Sequence, residues 1–300
     1  MGLFRKDREE PGSNLPTTIF QNPSLRVLEG FKQDADSKEA IVRLTRQLRE
    51  QLGVRKGDIV TLRKGDRLVK AKVEVSSSSD GTRSVARLNL HSRELLGANM
   101  GDEIEVIPPE TCILLIDTSG SMADFISGIV KLEATKNAVV EFIRSKFLMG
   151  HGDRIGIVSF GEYATVVERP SVDYEHLEGR TGSLRANGAT AMYEGMSVAI
   201  DVLPPSGVKR IVLLTDGVPT TTGRLSIISL AKRAASKRIV IDTIGVGSPY
   251  DLMGYDEQLL RRIAAITGGT FRRVLDIQEL TGQFAELAQQ KNYTYLLPEK

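Results

Sequence analysis

The chain has 300 residues, enough for two domains of ordinary size. Apolar residues make up 41% and charged residues 26%, the balance of a globular protein, and no apolar run approaches the roughly 20 residues of a membrane-spanning helix. A net charge of +2, with acids and bases mixed along the chain, argues against a nucleic-acid surface, and the single cysteine, Cys112, excludes an internal disulfide.

That cysteine usage points to a reducing, cytoplasmic setting, with Cys112 as a buried inert thiol. Residues 1–23 mix charge, proline and glycine and are expected to form a flexible arm. They hold no apolar signal-peptide core, and Lys6 stands where a myristoylation motif wants Ser or Thr. In SKEAIVRLTRQLREQLG, Ile41, Leu44, Leu48 and Leu52 share one helical face. The spacing predicts an amphipathic helix, with Arg43, Arg46 and Arg49 on its solvated side. LGVRKGDIVTL (52–62) and LGANMGDEIEV (96–106) then repeat at an offset of 44, each with a Gly-Asp turn feeding an alternating strand. Between them VKAKVEV (69–75), the polar SSSSDGT (76–82) and SVARLNL (84–90) read as a hairpin. Two related β-rich halves predict a small pseudo-symmetric barrel over residues 24–108.

This segment resembles the N-terminal double-psi barrel of the valosin-containing-protein class of AAA+ ATPases. The resemblance runs in order through LRVLEGFKQDADSKEAIVRL, LGVRKGDIVTL, the Val-Ala-Arg-Leu strand with its Arg-Glu-Leu-Leu-Gly turn, and MGDEIEV. It implies a module that docks adaptors and substrates and has no catalytic residues. The ATPase has no counterpart, because G-x-x-x-x-G-K-[ST] does not occur in the chain. A barrel of this fold with unrelated binding duties is the alternative.

Ile107-Pro-Pro-Glu110 reads as a linker, and beyond it the pattern changes to alternating strands and helices. CILLID, 154–160, 165–169, 210–216, 238–247 and 270–274 are predicted strands. Residues 131–147, 191–203, 225–237, 257–266 and 277–289 are predicted helices. Strands that are apolar without alternation are covered on both faces. Residues 109–290 are therefore expected to form a doubly wound, mostly parallel α/β domain, followed by a tail, 291–300.

In such sheets ligands bind beyond the carboxyl ends of the strands. There the chain offers Asp117, Ser119 and Ser121 after CILLI, Asp216 after RIVLLT, and Thr190 in the loop RANGAT. Side chains at 117, 119 and 121 point the same way if the chain stays extended. Three hydroxyls and two carboxylates, without sulfur or imidazole, suit a hard divalent ion, Mg²⁺ or Mn²⁺. With the carboxylates acting partly through water, such an ion keeps a place for an outside anion, and the natural occupant is an Asp or Glu of a partner protein.

The constellation resembles the von Willebrand factor A family. Asp117, Ser119 and Ser121 match its D-x-S-x-S element, Thr190 its threonine loop and Asp216 its last element. Ala189 stands where a second glycine is common. The resemblance implies a metal-ion-dependent adhesion site in a non-enzymatic interaction module. Together with the barrel it implies an intracellular adaptor whose partner is a AAA+ ATPase or its substrate, with no nucleic acid and no membrane involved.

Other readings compete. An aspartic protease needs Gly directly after Asp-Thr and a second copy of the motif; Ser119 follows here and no second Asp-Thr-Gly exists. A Mg²⁺-dependent phosphatase or phosphotransferase could use Asp117 as nucleophile, but needs a nearby Lys and a second acid that no motif supplies. His91, His151 and His176 sit in no catalytic spacing. A third reading is a metal-independent scaffold with the barrel as its binding surface.

Overall fold

A computed structural model describes residues 24–247 and 254–290. The expectations for the arm, 1–23, and the tail, 291–300, lie outside the described residues. Eight elements build the first part: β1 (Ser24–Glu29), β2 (Ile41–Leu44), α1 (Arg46–Leu52), β3 (Ile59–Lys64), β4 (Arg67–Val75), β5 (Val85–Leu88), α2 (Leu90–Leu96) and β6 (Glu103–Ile107). The strands close into a barrel in the order β1-β5-β2-β4-β3-β6. The repeat is physical. Thr45 and Asn89 cap α1 and α2, and Gly53 and Gly97 end them in left-handed conformations. Asp58 and Asp102 accept hydrogen bonds from the Arg55 and Asn99 N–H groups in the turns feeding β3 and β6.

Two sequence expectations are corrected here. Residues 69–75 and 84–90 do not form a hairpin. β4 pairs with β2 and β3, while β5 pairs with β1 and β2, so the chain passes over β2. The Ser-rich segment is a crossover, anchored where the Asp80 carboxylate binds Arg87 at 2.7 Å. The predicted helix starting near Ile41 is a strand until Thr45, and helix only from Arg46. Val42 and Leu44 face the barrel core, while Ile41 is buried on the other face of β2, whose neighbours on both edges override the helical spacing. Arg43 is therefore not part of a solvated face. It is buried, its Nε 2.5 Å from Asp34, and lies opposite Arg87 in the ladder. Both guanidiniums sit over the Phe31 ring, at 4.9 and 5.3 Å from its centre. The predicted Arg-Glu-Leu-Leu-Gly turn is the end of α2 with its glycine cap.

The second part runs β7 (Glu110–Asp117), β8 (Phe125–Ile126), β9 (Ile129–Val130), α3 (Lys131–Met149), β10 (Arg154–Phe160), β11 (Ala164–Ser171), α4 (Tyr174–Thr181), α5 (Met192–Val202), β12 (Val208–Thr215), α6 (Arg224–Ser236), β13 (Ile239–Val246), α7 (Glu257–Thr267), β14 (Phe271–Val274) and α8 (Ile277–Gln289). The sheet order is β11-β10-β7-β12-β13-β14, parallel except for the edge strand β11. This is the doubly wound sheet expected. β7 is central and buried throughout. Its Leu114 and Ile116 pack with residues of α3, α4 and α8, while Ile113 and Leu115 pack with α5, α6 and α7. Two covered faces explain why the strand shows no polar alternation. α4 and the short β8–β9 pair are elements the sequence pattern did not disclose. Among the described residues no helix is long and apolar enough to cross a membrane.

Pro108 and Pro109, which link β6 to β7, are buried. The barrel packs on the amino ends of the central strands. Arg154 Nη2 donates to Asp58 Oδ1 at 2.8 Å, and Thr61 Oγ1 lies 3.1 Å from His151 Nδ1. A Cβ added at Gly53 would fall 2.6 Å from the Gly207 Cα, so two backbones touch there. Nearby, the fully buried Lys146 binds Glu110 at 2.7 Å and Asp153 at 2.9 Å, pinning α3 to the start of β7. Cys112 is buried in this sheet, and burial pushes its thiol above the ordinary range, as fits an inert thiol. The carboxyl ends of β7 and β12 lie at the opposite end of the sheet.

Candidate metal centre

Asp117 is the last residue of β7. Leu214 pairs with Ile116 in the parallel ladder, so Thr215 comes alongside Asp117 as both strands end. The Asp117 carboxylate is fully buried and taken on both sides. Its Oδ1 accepts the Ser119 N–H at 2.8 Å, and its Oδ2 accepts the Thr215 hydroxyl at 2.5 Å. Ser119 is still extended, but Gly120–Ala123 form one 3-10 turn. Ser121 thus reaches the site through that turn and not through continued extension, a correction to the alternation argument. The outcome is the convergence expected. Ser119 Oγ lies 3.1 Å from Ser121 Oγ, and the Ser121 hydroxyl donates to Asp216 Oδ1 at 2.8 Å.

Thr190 arrives on a separate loop that is tied to the first. The Gly120 N–H donates to Gly188 O at 3.0 Å, and the Asn187 N–H to Thr118 O at 2.7 Å. Thr190 and Thr220 clasp each other: the Thr190 N–H donates to the Thr220 hydroxyl at 3.0 Å and the Thr220 N–H to Thr190 O at 3.2 Å. A Cβ added at Gly217 would fall 3.3 Å from Thr190 Oγ1 and 3.9 Å from Ser121 Oγ. Both hydroxyls therefore border the same small space over Gly217. All five residues singled out in the sequence are brought together at the end of the sheet.

Gly188 sets the second loop. Its φ is +77°, and a Cβ there would fall 2.4 Å from the Glu162 Cβ. Gly188→Ala is expected to cost at least about 1–2 kcal/mol from the left-handed backbone alone. By shifting Thr190 it should also weaken divalent-ion affinity roughly tenfold, as loss of supporting contacts does at other metal sites. Thermal melting and titration calorimetry read the two effects separately.

Burial, and then the nearby Asp216 charge, push the Asp117 carboxyl up to about 7. The Asp216 charge thus opposes ionisation of Asp117, and a cation beside them relieves that. One cation is already present: Lys131 Nζ, at the start of α3, lies 2.8 Å from Asp216 Oδ2. Sequence reasoning passed over Lys131, Thr215 and Thr220. Thr215 was findable, since it precedes Asp216 on a strand parallel to β7. Lys131 was not, because only the β8–β9 excursion returns the chain beside Asp216.

The donors fit a hard ion. They are hydroxyl and carboxylate oxygens, and among the described residues no group of three or more His, Cys, Asp and Glu side chains forms an alternative centre.

Residues 112–218 match the family model of the von Willebrand factor type A domain, and residues 24–110 match that of the cell division protein 48 (CDC48) N-terminal domain. The chain carries a von Willebrand factor type A (VWA) domain behind a double-psi barrel. Relatives at the sequence level include a UPF0353 protein of Mycolicibacterium paratuberculosis, 26% identical over 204 residues, and one of Nocardia farcinica, 26% identical over 217 residues. The first match covers 60% of this chain and 60% of the relative, so the chain spans about three fifths of the relative's length. Among solved structures, a von Willebrand factor type A protein from Catenulispora acidiphila superposes with a TM-score of 0.52 at 24% identity, covering 62% of this chain and 43% of that one. The conserved hypothetical protein BatB from Bacteroides thetaiotaomicron superposes with a TM-score of 0.50 at 22% identity, covering 60% of this chain and all of that one. These likenesses establish the VWA fold. VWA domains are generally protein-interaction modules and not enzymes, and many bind a metal ion.

Proposed function

We propose that the chain is a divalent-metal-dependent protein-interaction module. The observation that carries this is the convergence of the Ser119, Ser121, Thr190 and Asp216 oxygens above a buried Asp117. These residues would hold Mg²⁺ or Mn²⁺, which when bound supplies a Lewis-acidic position for an outside carboxylate. Asp117 orients Ser119 through its N–H, Thr215 orients Asp117, and Thr220 holds Thr190. The partner contributes an Asp or Glu.

The barrel supplies a second surface. Its match to the CDC48 N-terminal domain supports docking to a AAA+ ATPase or to that ATPase's substrate. The barrel packs on the end of the sheet opposite the metal centre. An intracellular adaptor for such machinery, in the cytoplasm, is the role that unites the two surfaces.

The phosphotransferase reading gains one point, because the lysine it needs is present as Lys131. It loses on access: Asp117 is fully buried and both its oxygens accept hydrogen bonds, which leaves no oxygen placed to attack a substrate.

The test is capture of partner proteins by the immobilised chain in Mg²⁺ and in chelator. Proteins retained only in Mg²⁺, and lost with Ser119→Ala/Ser121→Ala, support the reading. A capture profile unchanged by both treatments means that the barrel alone binds and the metal has no role.

A further inference from the structure

Lys131 is placed where it must oppose an incoming metal ion. It opens α3 directly after the β8–β9 excursion, its own N–H held by Asp124 O at 3.0 Å. The Nζ donates to Asp216 Oδ2 at 2.8 Å, while the other oxygen of that carboxylate accepts from Ser121. The Lys131 side chain is 15% exposed and that of Asp216 is not exposed at all, so water screens the pair poorly. Its backbone is fixed as well, because Lys131 O accepts the Thr135 hydroxyl at 2.8 Å.

We propose that Lys131 is a built-in counter-cation of the metal centre, which holds the empty site together, weakens metal binding, and leaves the loaded site one charge short of neutral. The inference rests on the metal-centre reading above and adds to it. Without metal, the Lys131 ammonium neutralises one of the two carboxylates, and the Ser121–Asp216 contact is kept. A divalent ion bound beside Asp117 and Asp216 is balanced by the two carboxylates alone. With Lys131 counted, the loaded site carries one net positive charge. That charge is what a single outside Asp or Glu neutralises, so Lys131 makes the loaded site select for an acidic partner. It also keeps the resting affinity for the ion modest, which couples metal retention to partner binding.

The experiment is titration of Mg²⁺ alone into the full chain by calorimetry, repeated with Mn²⁺ followed by electron paramagnetic resonance, on wild type, Lys131→Met, Lys131→Gln and Lys131→Arg. Removing a poorly screened like charge next to the site should tighten Mg²⁺ binding by about tenfold or more in the Met and Gln variants. Lys131→Arg, which keeps the charge, should stay within about twofold of wild type. In chelator, the Met and Gln variants should melt lower than wild type, and Mg²⁺ should raise their melting temperature more. Gln retains a hydrogen-bond donor to Asp216, so it reports on the charge if the Met variant fails to fold. Equal or weaker Mg²⁺ binding in the neutral variants overturns the counter-cation role while leaving the metal centre intact. Absence of Mg²⁺ and Mn²⁺ binding in wild type and in the neutral variants overturns the metal-centre reading itself.

Discussion

Asp216→Ala should lower Mg²⁺ affinity by about 100-fold or more, which corresponds to roughly 2.7 kcal/mol. Three losses coincide. One of two carboxylates disappears from a pocket that must balance a divalent charge. The Ser121 hydroxyl loses the acceptor 2.8 Å away that aims it. Lys131, deprived of its partner, becomes an uncompensated positive charge beside the ion. Any one of these costs about tenfold at a metal site, and they act together. The variant still folds, because Asp216 sits on a loop after β12 and none of the core packing depends on it. Arg169→Lys, at an exposed position of the edge strand β11, is the control and should leave affinity unchanged. Indistinguishable isotherms for wild type and Asp216→Ala would remove Asp216 from the site.

What sequence reasoning reached and what it missed divide along one physical line. Asp117, Ser119, Ser121, Thr190 and Asp216 were legible because the unbroken apolar run of β7 identifies a central parallel strand. Ligand loops follow such strands. α8 was legible from its spacing and runs Ile277–Gln289 as expected. Local pattern failed where partners distant in sequence decide the structure. Ile41 and Leu44 fit a helical face, yet the edges offered by β4 and β5 make them a strand. Residues 69–75 and 84–90 alternate as a hairpin does, yet β2 lies between them, and no spacing inside the segment signals that insertion. Arg43 looked like a surface base until Asp34 and Phe31 enclosed it. Lys131 is the functional case of the same limit. Its role depends on where a two-strand excursion sets it down, which is a tertiary fact.

Stability in the absence of metal should fall as pH rises between about 4 and 7, against the usual trend for carboxylates. In the unfolded chain Asp117 loses its proton near 4, as an ordinary Asp does. In the folded chain, burial and the Asp216 charge hold that proton until about 7. Between those values the folded state binds more protons than the unfolded one, so the slope of unfolding free energy with pH is negative. The contribution is fully present below about 4 and gone above about 7. Asp80 has the opposite sign, since Arg87 holds its carboxyl below the usual range, and it withdraws stability only as the pH falls further. The chelated protein should therefore melt highest on the acidic side of the 4–7 window. Divalent ions flatten the slope. They bind the ionised carboxylate, so below pH 7 each binding event releases up to one proton and affinity drops by as much as tenfold per pH unit. Melting curves at half-unit steps from pH 4.5 to 7.5 would display a falling curve in chelator and a nearly flat one in saturating Mg²⁺, the two converging toward the acid end. Asp117→Asn, which cannot ionise, should flatten the chelator curve and abolish the proton release seen by calorimetry in buffers of different ionisation enthalpy. A flat chelator curve in wild type would mean that Asp117 is charged in the empty site and that Lys131 alone already compensates both acids.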